Sequence, residues 1–285
     1  MPAEQIATQL ALINWTLLTG LAVGSFAVVL LGRLATSATK GYLAFTAACA
    51  AAFGVLAYLS DTGLPPLGVS SPIPVNPAFD EPRRVALIVF IVFAVITTIA
   101  LMRGRRAVIP ALVAELAGLA VILLAALTWG GGPLGAVPLA IQLGLLAAAT
   151  GGVFAAMILG HWYLVTPRLP EAPLVLVSRR LLWIVALQAV LFVAWVGFGA
   201  GPGSGGSASG GGGPFSALVG PWALFVWLRL VIGLVFPLIV SWAAVQTART
   251  RSMESATGLL YIDVGAIAAG TILAAGLYFG AGLLV

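Results

Sequence analysis

Charge is scarce in this chain. Asp, Glu, Lys and Arg make up 7% of its 285 residues, where a soluble domain carries about 25%. A soluble enzyme is thereby excluded, and 61% hydrophobic residues exclude a disordered chain. The pI near 10.0 rests on only 13 Lys and Arg, set in short clusters between apolar runs. Nucleic acid is therefore not an expected partner. Cys49 is the one cysteine, so neither an intrachain disulfide nor a cysteine zinc site can form. His161 is the one histidine, which excludes a two-histidine haem within the chain. Alternating ten-residue strands are missing, and with them a membrane barrel. The first nine residues hold Glu4 but no Lys or Arg, so no cleavable signal peptide is expected.

Long apolar runs are what remains, with a mean hydropathy of +1.15. They predict an all-α polytopic membrane protein with eight spans, at 10–32, 42–60, 85–102, 107–129, 134–161, 181–199, 218–246 and 257–283. Each approaches or exceeds the length that crosses a hydrocarbon core of about 30 Å. Ten cations fall on one side: Arg33 and Lys40; Arg103, Arg105 and Arg106; Arg168, Arg179 and Arg180; Arg249 and Arg251. The other side has Arg83 and Arg84 beside Asp80 and Glu81. The positive-inside rule then sets both termini outside the cytoplasm, in a cell (inner) membrane. Trp162, Tyr163, Trp183 and Trp242 mark the inner interface, and Trp129, Trp195 and Trp222 the outer one. Two outer segments stand apart. Residues 61–82 contain six prolines and read as a stiff connector or a docking surface; residues 199–214 are nearly all Gly and Ser and read as a flexible linker.

The halves 1–130 and 131–285 resemble each other. Gly24-Ser25-Phe26-Ala27, followed by Leu31-Gly32-Arg33, matches Gly152-Val153-Phe154-Ala155, followed by Leu159-Gly160-His161, at an offset of 128. Arg84 precedes the cluster at Arg103 much as Arg229 precedes Arg249, and Glu115 follows Arg106 by nine residues, as Asp263 follows Glu254. Four spans per half preserve orientation. The expectation is two four-helix bundles related in parallel about the membrane normal.

An ionisable group in the hydrocarbon costs at least about 2.5–3.5 kcal/mol, so each such residue needs a reason. Nine helical residues descend roughly 13 Å, which sets Glu115 and Asp263 at similar depth on equivalent helices. They are candidate proton-relay groups; the alternative is a pair of neutral carboxyls joining helices. Arg229 either snorkels to the outer interface or faces a quinone head or carboxylate from within. Gly233 and Pro237 follow it at spacings of four, and the proline predicts a kink. His161 is an interfacial residue of an aromatic belt or a ligand for quinone or proton exchange. Gly20 with Gly24, and Gly276 with Gly280, have GxxxG spacing suited to close helix contact.

The stretch Asn14-Trp15-Thr16-Leu17-Leu18-Thr19-Gly20-Leu21-Ala22-Val23-Gly24 and the Trp227-Leu228-Arg229 placement resemble the membrane anchors of polysulfide and DMSO reductases, the NrfD-like family. The His-Leu-Gly stretch often found near that family's second span is replaced here by Leu59-Ser60-Asp61-Thr62-Gly63. The resemblance implies a quinone-interacting subunit, without a covalent or metal cofactor of its own, working with a partner that carries iron–sulfur clusters or haem. Proton- or cation-coupled transport and a purely structural role in a larger membrane complex are the competing expectations.

Overall fold

The computed structural model describes residues 1–64, 72–166, 169–202 and 214–285. Pro65, Pro66, Ser70, Arg168 and the Gly/Ser positions 203–213, including Ser207, lie outside the described residues. A short helix α1 (Pro2–Thr8) leads into α2 (Leu10–Ala35), α3 (Lys40–Thr62), α4 (Asp80–Met102), α5 (Val108–Trp129), α6 (Pro133–Val165) and α7 (Ala172–Phe198). The seventh span is α8 (Ala223–Leu230), one π-helical turn (Val231–Val235) and α9 (Phe236–Arg249); α10 (Met253–Ala281) follows. Among the described residues, eight helices are long and apolar enough to cross a membrane, and the protein is an integral membrane protein. Helix is the form such sequence takes in lipid, because each backbone N–H and C=O must find its partner within the segment.

Three span starts differ by five residues or more from the sequence expectation. The sixth span begins at Ala172 rather than 181, with Pro173 in its first turn. Proline fits that position, where the missing N–H has no helical partner to lose. Arg179 and Arg180 therefore sit on the helix and not in a loop. The third span begins at Asp80 rather than 85, with Asp80 and Glu81 against the positive end of the helix dipole. Arg83 and Arg84 are carried into the bundle as a result. The seventh span begins at Ala223, after a separate 3-10 turn at Ser216–Leu218.

Helices α2 to α5 pack in sequence, and α5 returns to α2. The spans from α6 to α10 likewise pack in sequence, and α10 returns to α6. The two groups meet chiefly where α2 crosses α6, with α10 and α5 adding contacts. Glycine makes that crossing. A Cβ on Gly24 would stand 1.8 Å from the Ala147 carbonyl oxygen, and one on Gly151 would stand 2.1 Å from the Ser25 nitrogen. Backbone touches backbone there, as small residues permit in membranes.

At one end the basic loops tie together. Lys40 Nζ donates to the Gly104 carbonyl at 2.7 Å, Arg33 Nε to the Arg106 carbonyl at 2.8 Å, and Arg251 pairs with Glu171 at 3.0 Å. At the opposite end, the Tyr278 hydroxyl donates to the Trp129 carbonyl at 2.8 Å, and the Trp129 ring meets Trp15 and Phe279 edge-on.

Candidate functional site

The buried polar groups of the last four spans begin at Arg229. Pro237 has no N–H, so the Gly233 carbonyl four residues earlier loses its usual helical donor. The Arg229 guanidinium takes that place, donating from Nη1 to the Gly233 oxygen at 3.0 Å, while Nη2 donates to Gln188 Oε1 at 2.7 Å. Arg229 is 2% exposed, and its Nε has no partner. Its other partners are neutral, so no carboxylate balances the cation. The π turn at Val231–Val235 directly follows it, and Gly233 lies against Gly270 so closely that a Cβ on either would stand 2.6 Å from the other's Cα. Single π turns of this kind recur at functional sites. Beside the guanidinium is a cavity of about 10 Å³ lined by Gln142, Gln188, Trp195 and Leu145, enough for about one water. Arg229 is thus drawn inward instead of snorkelling to a surface.

Asp263 is fully buried on α10. Ser241 Oγ donates to its Oδ2 at 2.6 Å, and its Oδ1 has no partner. Eight residues further along α10, Thr271 shares a 2.7 Å hydrogen bond with Thr150 of α6. Since helix rises 1.5 Å per residue, these two polar steps lie roughly 12 Å apart along the axis. Thr271 adjoins Gly270, which touches the turn holding Arg229. Arg229, Thr271 and Asp263 are thus three separate buried polar points on this half, with the apolar Ala266 and Ile267 between the last two.

The remaining sequence candidates sit elsewhere. Glu115 is half-buried on α5, forms no hydrogen bond with a described residue, and has its Oε2 shielded from solvent. It makes no hydrogen bond or ion pair with Asp263. His161 is exposed near the end of α6 and makes no hydrogen bond with either carboxyl. Among the described residues, no three His, Cys, Asp or Glu side chains gather as metal ligands would.

The most densely bonded polar cluster was not among those candidates. Asp61, at the end of α3, is fully buried and receives Arg83 Nε at 2.8 Å, Arg83 Nη2 at 3.2 Å and Arg84 Nε at 2.8 Å. Arg83 Nη1 reaches Asp80 at 2.8 Å and Thr128 at 3.1 Å. Its guanidinium lies 4.7 Å from the Trp129 ring and 5.5 Å from that of Trp15. The bidentate pairing and the aromatic faces suit arginine and would not suit lysine. Each nitrogen of Arg83 has a partner, so the cluster clamps α3, α4 and α5 together. The nearest sequence signal was the acidic residue ending an apolar run, with two arginines opening the next.

No family model, curated protein or solved structure matches this chain.

Proposed function

We propose that this protein is the membrane-embedded subunit of a redox complex, relaying protons along its last four spans beside a quinone that meets Arg229. One observation carries the reading: Asp263 is wholly buried, with one oxygen held by Ser241 and the other without a partner. A carboxyl so placed has an open site for a proton or a water, and ionisable groups kept inside a membrane commonly mark proton paths. The Thr150–Thr271 pair and the Arg229 cavity are the next buried polar points on these spans, and waters between them would complete the relay. Arg229, with a bare Nε and no carboxylate partner, matches the acceptor chemistry of a quinone carbonyl. A quinone ring needs the side chains around that cavity to move aside, since the space now holds about one water. The resemblance to the NrfD-like anchors supplies the partner in this proposal, a subunit with iron–sulfur clusters or haem, because the chain has a single histidine and a single cysteine. Glu115 stands in the same proposal as a second relay group serving the first four spans.

The test is proton-linked quinone reduction by the native complex in liposomes. Asp263→Asn retains the shape and the Ser241 hydrogen bond but removes the titrating group. It should cut proton uptake at least tenfold while the complex still assembles. Undiminished proton uptake in Asp263→Asn and Glu115→Gln together would dismiss the relay. If the isolated chain alone acidifies or alkalinises liposomes when offered a cation or solute, coupled transport takes the place of the redox role.

A further inference from the structure

A second site lies on the outside of the bundle. Helices α2 and α7 both pack on α6, but hardly on one another. Between them runs a slot of about 110 Å³ lined by Gly24, Ala27, Val28 and Leu31 of α2, Ala148 and Gly152 of α6, and Leu181 of α7. Arg180 stands at its basic end. Next along the same two helices lies a wider groove of about 780 Å³, formed by Thr36, Ser37, Val175 and Arg179 among others. The other flank of α6 is filled: Phe154 packs edge-on against Phe53 of α3, Tyr42 donates to the Ala155 carbonyl, and Trp162 covers Gly41. Small side chains leave the α2–α7 side open.

Its chemistry changes along its length. The deep part is apolar, and the shallow part carries hydroxyls and two exposed arginines. Neither Arg179 nor Arg180 makes a hydrogen bond or ion pair with any described residue. From Gly24 in the slot to Ala35 in the groove, the two together follow eleven residues of α2, roughly 16 Å of rise, which is about one leaflet of a hydrocarbon core of about 30 Å. We propose that this slot holds one acyl chain of an anionic phospholipid, with its phosphate on Arg179 and Arg180. Charge decides the occupant: a quinone has a neutral head and no need of two unpaired cations, whereas a phosphate diester is their natural partner. Each basic residue near a lipid phosphate contributes about 1 kcal/mol.

The full-length protein, delipidated in detergent and supplied with equal phosphatidylglycerol and phosphatidylcholine, tests this by native mass spectrometry. One phosphatidylglycerol should remain bound per chain in preference to phosphatidylcholine. Arg179→Gln with Arg180→Gln should reduce that preference about thirtyfold, the loss expected for two such contacts. Gly152→Leu plugs the slot, since a Cβ there meets only Leu181 at 3.9 Å. It should lower retention of both lipids, while Gly265→Leu, on an open face of α10, should not. Equal retention of the two lipids by the native chain, recovery of an isoprenoid quinone in place of phospholipid, or unchanged retention in the double arginine variant would overturn the proposal. Because the two arginines are exposed, that variant remains decisive even if Gly152→Leu fails to fold.

Discussion

Asp61 neutralises two arginines, one of them 1% exposed. Removing one member of a buried pair leaves an uncompensated charge and costs about 3–5 kcal/mol. Asp61→Asn should therefore lower unfolding stability in detergent by about that amount, read from thermal or denaturant unfolding. Arg229 should behave differently, because its partners are the neutral Gln188 and Gly233. Replacing it by Met removes a costly buried cation and should leave folding intact or improve it, while quinone-linked turnover by the complex is lost; equal loss of folding and turnover would show that the cation serves the fold. The two residues also differ in how far they can be read from sequence. Arg229, Gly233 and Pro237 stand at intervals of four, and helix geometry alone puts them on one face. Asp61 ends an apolar run just before a proline-rich segment, where an acid ordinarily faces water. Its partners come from another span, and only the packing of α4 on α3 brings them to it.

Helix by helix, the apolar runs told the number and nature of the spans, because length and lack of charge are properties of a single segment. The starts of α4 and α7 escaped that reading, since charged residues, Asp80, Glu81, Arg83 and Arg84 in one and Arg179 with Arg180 in the other, stand within the helix and interrupt the apolar run. Ser241 as partner of Asp263 was equally hidden, being a product of how α9 lies on α10. Neighbouring glycines of α6 give a test at this scale. A Cβ on Gly151 would stand 2.1 Å from backbone, while on Gly152 it meets only a side-chain tip at 3.9 Å. Gly151→Ala should prevent the α2–α6 crossing and abolish recovery of folded protein by size exclusion. Gly152→Ala should instead raise stability by up to about 1 kcal/mol, the helix preference of alanine over glycine.

For the molecule as a whole, the basic loops share one end, and the positive-inside rule turns that clustering into an orientation. Cysteines introduced at Ser70 or Ser207 should react with an impermeant maleimide on intact cells, and one at Ser252 should not, with the native Cys49 first replaced by Ala. Reaction at Ser252 from outside would invert the orientation and put both termini in the cytoplasm.

The glycine crossing between α2 and α6 also bears on motion. At that point the Ala147 carbonyl occupies the notch over Gly24. A slide of one helical turn, about 5.4 Å, would bring Val28, four residues on and on the same face, toward the same oxygen. Shear in that direction is therefore opposed by a side chain, whereas tilting about the contact needs none to pass another. If the halves move during turnover, this crossing is the pivot, and the slot between α2 and α7 is where the tilt would open or close a path to the lipid.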